Sequence, residues 1–401
     1  MMPALRFLTT FPERFRRITS GGTYRPEIDG LRFFAIALVV IAHLWERSGR
    51  LYGHGHALSE IEHFLLDTFN SGTQGVLLFF TISGYIISSQ WRRHNPGLKA
   101  YFLRRVTRIE PPYLIILTAI FVFIMLSGYK PEFARSFNRE SVTLTESYIA
   151  SVFYVHGLSL NSFPRLLPPA WSLEIEVQFY IIAPALFWIY YRLPRRLMLG
   201  IVGLIASAII SVAADATLGA TPHRYSILRY LPYFWLGVLL SDRTQSGALH
   251  WRFDLVALAS LAFLILANNK VALWLDVPKI VLFFGRLLAI YGMFLGAVHG
   301  VRFRRFCSLP WIALLGGACY SIYLTHLPVA AVTTQLIAAI YIPTEFGVAF
   351  IVTLICGLPS IILAGLGFYV CVERPFMQPD WPRTVAQRFR SRRSLWTPGR
   401  S

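Results

Sequence analysis

Arg32 and His43 are ionisable residues within the first long apolar stretch, YRPEIDGLRFFAIALVVIAHLW, over residues 24–45. They are eleven residues apart, which in an α-helix is three turns plus about 20°, so the side chains share one face at different depths. Asp29 falls within about 40° of that face. Charged groups inside a membrane-spanning helix are costly and usually face the protein interior. The stretch therefore predicts a cation and a proton carrier that point into one interior.

Two later apolar stretches, WSLEIEVQFY and CYSIYLTHLPV, contain Glu176 and His326. With successive spans running in alternate directions, both residues reach a depth similar to that of His43, in the outer part of the membrane. Glu174 and Glu176 are about 200° apart around a helix, so only one of them faces the same interior as His43. Histidine and carboxylate side chains exchange protons near neutral pH, so the group predicts acid/base chemistry.

The stretch YFLRRVTRIEPPY contains Arg105 and Arg108 at a spacing of three residues, which places them on one helix face. Arg32 enters the membrane at the same inner level. Guanidinium groups offer paired N–H donors to phosphate oxygens. We therefore expect an anion site at the inner side and an acid/base site farther out. This arrangement suits a donor with phosphates at one end and a reactive group on a long arm.

These residues also have structural explanations. The arginines fit the positive charge of cytoplasmic loops, and a long arginine side chain reaches the interface from inside the membrane. The two histidines and Glu176 are suited to polar contacts between helices. Glu373, in VERPF near the end of the last span, is typical of a helix-end ion-pair partner.

The composition indicates which elements must position these residues. Of 401 residues, 55% are hydrophobic and 14% charged, and the mean hydropathy is +0.53, which is far more apolar than a soluble domain. We expect an all-α integral membrane protein with a bundle of about ten transmembrane helices. The expected spans are residues 31–45, 73–91, 111–127, 172–191, 197–215, 228–241, 252–268, 279–299, 311–341 and 346–372. The semi-apolar segment 148–160 predicts a re-entrant or interfacial helix.

The basic residues predict the orientation of the chain. With ten spans, 26 lysine and arginine residues lie on the side of the termini and ten lie in the opposite loops. Cytoplasmic loops are enriched in these residues, so we expect a multi-pass protein of the inner membrane with both termini in the cytoplasm. The same distribution accounts for the net charge of +18 without a nucleic-acid partner. The basic tail at 383–393 is suited to membrane lipids.

The cysteines and the N-terminal segment exclude further classes. Four cysteines form no CxxC pair and no metal-ligand spacing, so we expect neither a metal site nor a bound cofactor. Residues 1–23 contain several charges and no continuous apolar core, which argues against a cleaved signal peptide. The first helix is then expected to target the chain to the membrane.

Six stretches together resemble the membrane-bound acyltransferase 3 family. They are YRPEIDGLRFFAIALVVIAH, which has the family's Arg/Lys, ten residues, His pattern; GVLLFFTISGYIIS, its second-helix signature; RVTR, its paired arginines; AWSLEIEVQFY; YSIYLTHLP; and the closing VERPF. In the family's WSLxxExQFY pattern the acid falls on Glu176 rather than Glu174. Many relatives have a second acid at the next position, where this chain has Val177.

The resemblance implies an acyl-CoA-dependent O-acyltransferase in a ten-helix bundle. An acyl donor, acetyl-CoA foremost, would enter from the cytoplasm, and a hydroxyl of a glycan, a lipid-linked sugar or a similar acceptor would be modified near the opposite face. The resemblance assigns catalysis to His43 and Glu176. The expected donor-binding residues are all arginines: Arg32, Arg105 and Arg108. The remaining candidates support the site or face the acceptor: Asp29, His326, Ser83 and Tyr85.

On this basis residues 24–376 form the acyltransferase transmembrane domain, between a cytoplasmic N-terminal segment (1–23) and a basic cytoplasmic tail (377–401). Two other classes stay open. A secondary transporter of an anionic small molecule also uses buried Arg, His and Glu, and a membrane scaffold uses polar residues to hold its helices together. Release of the CoA thiol separates the enzyme from the transporter.

Overall fold

The structure is a computed structural model that describes residues 10–18, 24–53, 59–68, 72–94, 97–128, 142–217, 224–243, 248–266, 272 and 275–378. In these ranges the regular secondary structure is helical, without strands. The helices are α1 (Pro26–Gly53), α2 (Glu60–Thr68), α3 (Gly72–His94), α4 (Leu98–Ser127), α5 (Leu144–Val152), α6 (His156–Leu160), α7 (Trp171–Tyr190), α8 (Arg196–Thr217), α9 (Ile227–Arg243), α10 (Arg252–Leu266), α11 (Lys279–His299), α12 (Arg302–Cys307), α13 (Pro310–Gly317), α14 (Cys319–Ile340) and α15 (Phe346–Phe368). The predicted tail anchor at 383–393 lies outside the described residues.

The apolar helices confirm the all-α membrane fold. In the part of the chain that the structure describes, seven helical segments are long and apolar enough to cross a membrane: Pro26–Tyr52, Leu98–Ser127, Pro168–Tyr190, Arg196–Ala214, Lys279–His299, Cys319–Ile340 and Phe346–Phe376. The predicted spans 73–91, 228–241 and 252–268 also form helices, α3, α9 and α10, but they are not among these seven. The expected number of ten spans is therefore not confirmed.

The predicted span 311–341 is divided into two helices, α13 and α14, which meet at Ala318. Gly316 lies directly against α1, because a Cβ atom added to it would be 1.7 Å from the carbonyl oxygen of Asp29. Only glycine permits this approach. The break thus brings the backbone of α13 against the turn of α1 that precedes Arg32.

α1 lies at the centre of the bundle and packs against α3, α13, α14 and α15. A Cβ added to Gly75 of α3 would be 2.3 Å from the carbonyl oxygen of Ala35 in α1. On its other side α3 meets α9 through Gly84 and Gly237, whose added Cβ atoms would be 2.1 and 2.0 Å from backbone oxygens of the facing helix. Small residues permit such close helix contacts in membranes. These contacts position α1 and α3 beside the site described below.

The segment between α4 and α7, called the outer segment after the side on which the charge distribution predicts it, is two short helices, α5 and α6, rather than the single helix expected at 148–160. They are separated by residues 153–155, where Tyr154 has a positive φ of 57°. With nine and five residues, each is too short to cross the membrane. His156 anchors the segment: its Nε2 is 2.9 Å from Ser147 Oγ and its Nδ1 is 3.1 Å from the Ser162 carbonyl oxygen.

The buried His156 predicts that the outer segment loosens at acidic pH. Burial lowers the pKa of His156 below its ordinary 6.5, more than its hydrogen bond to the Ser162 carbonyl raises it. As pH falls through about 6.5 the unfolded segment takes up a proton that the folded segment resists, so the free energy of unfolding decreases. We expect His156→Gln to remove this pH dependence. Limited proteolysis from neutral pH to about pH 5 measures it, and equal pH profiles for both proteins would contradict the prediction.

Candidate active site

A cavity of about 100 Å³ lies between α1, α3, α4, α7 and α14. Its polar and charged lining consists of Arg32, Ser83, Arg105, Arg108, Ser172, Glu176, Cys319, Tyr320, Tyr323 and Tyr180. Among the sequence candidates, the structure thus brings together the three arginines, Ser83 and Glu176. They come from four helices that are far apart in the chain. The volume accommodates several ordered waters or a thin polar chain.

Arg32 is buried, with 7% of its surface exposed, and its Nη1 donates a 2.7 Å hydrogen bond to Oδ1 of Asp29. The two residues are three positions apart on α1, so adjacent helical turns place them in contact. Asp29, which was expected to support the site or to face the acceptor, thus forms an ion pair with Arg32. Arg17 Nη1 lies 3.5 Å from the same carboxylate oxygen, although the sequence analysis placed that arginine outside the domain.

Arg105 is 9% exposed and occupies a polar and aromatic niche. Its Nη2 donates to Gln90 Oε1 at 2.5 Å, and its guanidinium lies 5.7 and 5.6 Å from the ring centroids of Tyr101 and Tyr180. Among the described residues, the Arg105 Nε has no hydrogen-bond partner. A buried guanidinium with an N–H donor to spare is suited to an anion that enters the cavity.

Glu174 and Glu176 lie on different faces of α7, as their spacing predicts. Glu176 lines the cavity, and its Oε1 accepts hydrogen bonds from Ser83 Oγ at 2.6 Å and from the Tyr180 hydroxyl at 2.5 Å. Glu174 Oε2 accepts from the backbone N–H of Gly157 at 2.8 Å and so holds the start of α6. Glu176 is therefore the acid of the cavity, whereas Glu174 supports the outer segment.

His43 and His326 are in contact, with ring centroids 5.2 Å apart. His326 is 1% exposed, and its Nδ1 donates to the Tyr323 carbonyl oxygen at 2.6 Å. Nε2 of His326 is then the acceptor nitrogen, and among the described residues it has no partner. The side chain of His43 is 30% exposed. A buried acceptor beside an accessible imidazole is suited to binding or relaying a proton.

Glu176 was expected at a depth similar to that of His43, but the carboxylate that lies next to His43 in the structure is Glu46. Its Oε2 lies 3.5 Å from His43 Nδ1, and its Oε1 accepts a hydrogen bond from Arg50. Glu46 is three residues after His43, so helical spacing was enough to find this partner. The catalytic assignments of His43 and Glu176 stay predictions.

A contact between α7 and α14 separates Glu176 from the histidines. The hydroxyl of Tyr323 is 2.7 Å from Ser172 Oγ and donates to the Pro169 carbonyl oxygen at 2.5 Å. From Ser172, Glu176 is about 6 Å along α7 toward the arginines. From Tyr323, His326 is about 4.5 Å along α14 in the opposite direction. The expectation that Glu176 shares the depth of both histidines therefore does not hold.

Tyr85 does not line the cavity. Its hydroxyl accepts a 2.5 Å hydrogen bond from Arg25 Nη1, and Arg25 Nε donates to Glu27 at 2.8 Å. Of the two candidates that lie in the second-helix signature, Ser83 thus bonds within the cavity and Tyr85 tethers the chain just before α1. In the described part of the chain, no group of three or more His, Cys, Asp or Glu residues could hold a metal ion.

The chain is similar to known acyltransferases. The sequence profile of the acyltransferase domain matches residues 25–370. Peptidoglycan O-acetyltransferase OatA of Listeria monocytogenes is 26% identical over 356 residues, which are 78% of this chain and 50% of that protein. O-acetyltransferase OatA of Staphylococcus aureus is 25% identical over 336 residues, 76% of this chain and 50% of that protein.

The chain spans about half the length of these curated relatives. No solved structure matches it. The profile match covers most of the chain and includes the cavity, the arginines and both histidines of the pair. The chain therefore belongs to this acyltransferase family and is a multi-pass membrane protein.

Proposed function

We propose that the protein is an O-acyltransferase that moves an acyl group, acetyl foremost, from cytoplasmic acyl-CoA to a hydroxyl of a cell-envelope glycan or lipid-linked sugar. The observation that carries the proposal is the order of groups across the bundle. Three arginines line a cavity, and Tyr323, which lines the same cavity, packs against His326 of the histidine pair with ring centroids 5.6 Å apart. This order matches a donor with phosphates at one end and a thioester at the other.

The arginines support an anionic donor. Arg32, Arg105 and Arg108 come from two helices and share one cavity, so they can contact several phosphate oxygens at once. With both termini in the cytoplasm, as the charge distribution predicts, this group lies on the cytoplasmic side of the membrane. Acyl-CoA would bind its phosphates there and extend its arm through the cavity.

The histidine pair supports the transfer step. The acceptor hydroxyl oxygen would attack the thioester carbonyl carbon while His43 removes the hydroxyl proton. The bond between carbon and sulfur then breaks, an ester forms, and the proton passes to the thiolate of CoA. The partly exposed His43 can reach an acceptor from the outer side, and His326 Nε2 can accept a hydrogen bond from that acceptor or from His43.

The relatives support the choice of acyl group and acceptor. Both are named O-acetyltransferases, and the Listeria protein is named for peptidoglycan. Acetyl is therefore the acyl group that we propose first, and a cell-envelope glycan is the acceptor that we propose first. Acyl-CoA as the donor is supported by the grouping of the arginines.

The proposal is tested with membranes that contain the protein, acetyl-labelled CoA and cell-envelope glycan fragments. We expect label in the glycan and an equal amount of released CoA thiol, neither of which appears with membranes that lack the protein. Movement of an intact anion across sealed vesicles without thiol release would overturn the proposal in favour of a transporter. If the preparation acetylates the glycan from another donor but not from acetyl-CoA, the choice of acyl-CoA as the donor is wrong.

A further inference from the structure

The N-terminal segment, residues 10–18, is packed onto the bundle although it precedes the matched residues 25–370. The ring of Phe11 stacks on Trp311 of α13, with centroids 5.7 Å apart and an interplanar angle of 13°. Arg374 Nη2 donates a 2.9 Å hydrogen bond to the carbonyl oxygen of Arg14. Contacts with α13 and with Arg374 thus hold the segment beside Asp29 and the cavity arginine Arg32.

Arg17 inserts its side chain into the protein from this segment. The side chain is 8% exposed, and Nη1 lies 3.5 Å from Asp29 Oδ1. Among the described residues, its buried Nε has no hydrogen-bond partner. A guanidinium stays protonated even when buried, so Arg17 adds a full positive charge to the interior.

The charge of Arg17 acts on the residues around the cavity. Asp29 and Glu373 attract it, and Arg108 repels it. It also acts on Cys319, which lines the cavity. Arg17 does not line the cavity itself, so its effect on a ligand there passes through neighbouring charges.

Asp29 is the residue that couples Arg17 to the cavity. Its Oδ1 accepts the hydrogen bond of Arg32 at 2.7 Å and faces Arg17 at 3.5 Å. One carboxylate therefore shares its negative charge between a cavity arginine and an arginine of the N-terminal segment. Without Arg17, that charge would be opposed chiefly by Arg32, and the positive potential in the cavity would fall.

We propose that Arg17 is a positioning residue for an anionic donor, because it neutralises Asp29 and so leaves Arg32 and Arg108 to attract the donor's phosphates. The inference rests on the proposed acyl-CoA donor. With this role, the donor site includes a residue of the N-terminal segment 1–23, which was expected to lie outside the acyltransferase domain.

The test is equilibrium binding of labelled acetyl-CoA to the purified full-length protein in detergent. We expect Arg17→Gln to raise the Kd about tenfold, as the loss of one nearby charge implies. Arg17→Lys retains the charge and should stay within about threefold of the intact protein. Arg14→Gln removes the same charge from an exposed side chain of the same segment and should bind normally. In acetyl transfer, the Arg17→Gln change should raise the donor KM and leave kcat nearly unchanged.

A double variant separates positioning from a purely structural role. If Arg17 acts by neutralising Asp29, then Arg17→Gln with Asp29→Asn should bind acetyl-CoA more tightly than Arg17→Gln alone. A structural role predicts that the double variant is weaker than either single variant, and that result would overturn the inference. Should Arg17→Gln fail to fold, the double variant is compared with the intact protein, whose Kd it should match within about threefold if the two charges offset each other; a larger loss would overturn the inference.

Two further outcomes are distinguishable. Equal acetyl-CoA affinity for Arg17→Gln and the intact protein would overturn the positioning role and leave the proposed reaction standing. Absence of acetyl-CoA binding to the intact, folded protein would overturn the donor itself, and with it the role of Arg17. Thermal melting of each variant in detergent shows which proteins are folded.

Discussion

Replacing His43 with alanine is expected to lower the rate of acetyl transfer at least about 100-fold, the usual contribution of a positioned general base. His43 is the partly exposed member of the histidine pair, and Glu46 lies 3.5 Å from its Nδ1. Its loss would remove the group that accepts the hydroxyl proton in the proposed reaction. The buried partner, His326, has Nδ1 committed to the Tyr323 carbonyl and is less accessible to an incoming acceptor.

The measurement is transfer of label from acetyl-CoA to glycan, with protein amount and melting temperature determined for each variant. His63→Ala is the matched control, because His63 is an exposed histidine on α2 that follows α1 in the chain. It should retain full activity. Equal activity of His43→Ala and the intact protein in a working preparation would show that His43 is structural and that the proposed proton transfer is wrong.

The second large effect is expected from Glu176→Gln, which should lower acetyl transfer at least about tenfold without changing the melting temperature. The carboxylate lies in the cavity and accepts hydrogen bonds from Ser83 and Tyr180. An amide retains the size and one acceptor oxygen but loses the negative charge. The arginines that line the cavity would then no longer face the negative charge of Glu176, and the donor would bind in a different position.

Glu174→Gln is the matched control for Glu176→Gln, since it makes the same chemical change two residues away. Glu174 holds the N–H of Gly157 at the start of α6, and a hydrogen bond to a charged group contributes about 1.5–3 kcal/mol. We therefore expect Glu174→Gln to lower the melting temperature and accelerate proteolysis of the outer segment, with kcat largely retained. If both variants lost activity and their melting temperatures fell equally, the two acids would not have the separate roles that we assign to them.

Short-range features of the site were predictable because helix geometry is local. The i, i+3 spacing of Arg105 and Arg108 and the opposite directions of Glu174 and Glu176 follow from 3.6 residues per turn. The cost of a charge in an apolar span pointed to Arg32, which proves to line the cavity. Glu46, one turn after His43, follows from the same spacing, although it was not among the expected site residues.

Depth was harder to predict because helices in the bundle begin at different levels. Glu176 was expected at a depth similar to that of His43 on the assumption of similar spans. The carbonyl oxygen of Pro169, just before α7, accepts a hydrogen bond from the Tyr323 hydroxyl of α14. α7 therefore begins beside Tyr323, in the interior of the apolar stretch 311–341 and not at its end. Glu176 therefore lies about 6 Å from this contact on the side of the arginines, whereas His326 lies about 4.5 Å from it on the other side.

The sequence by itself determined the membrane class, the helical fold and the residue types of the site, since hydropathy, helical period and the cost of buried charge are properties of short stretches. Only the tertiary structure decided which charges meet. The insertion of Arg17 beside Asp29 and the pairing of His43 with His326 join residues from separate parts of the chain. Such contacts depend on where helices break, how they cross and where two backbones approach closely, as Gly316 approaches Asp29. No local sequence pattern specifies these features.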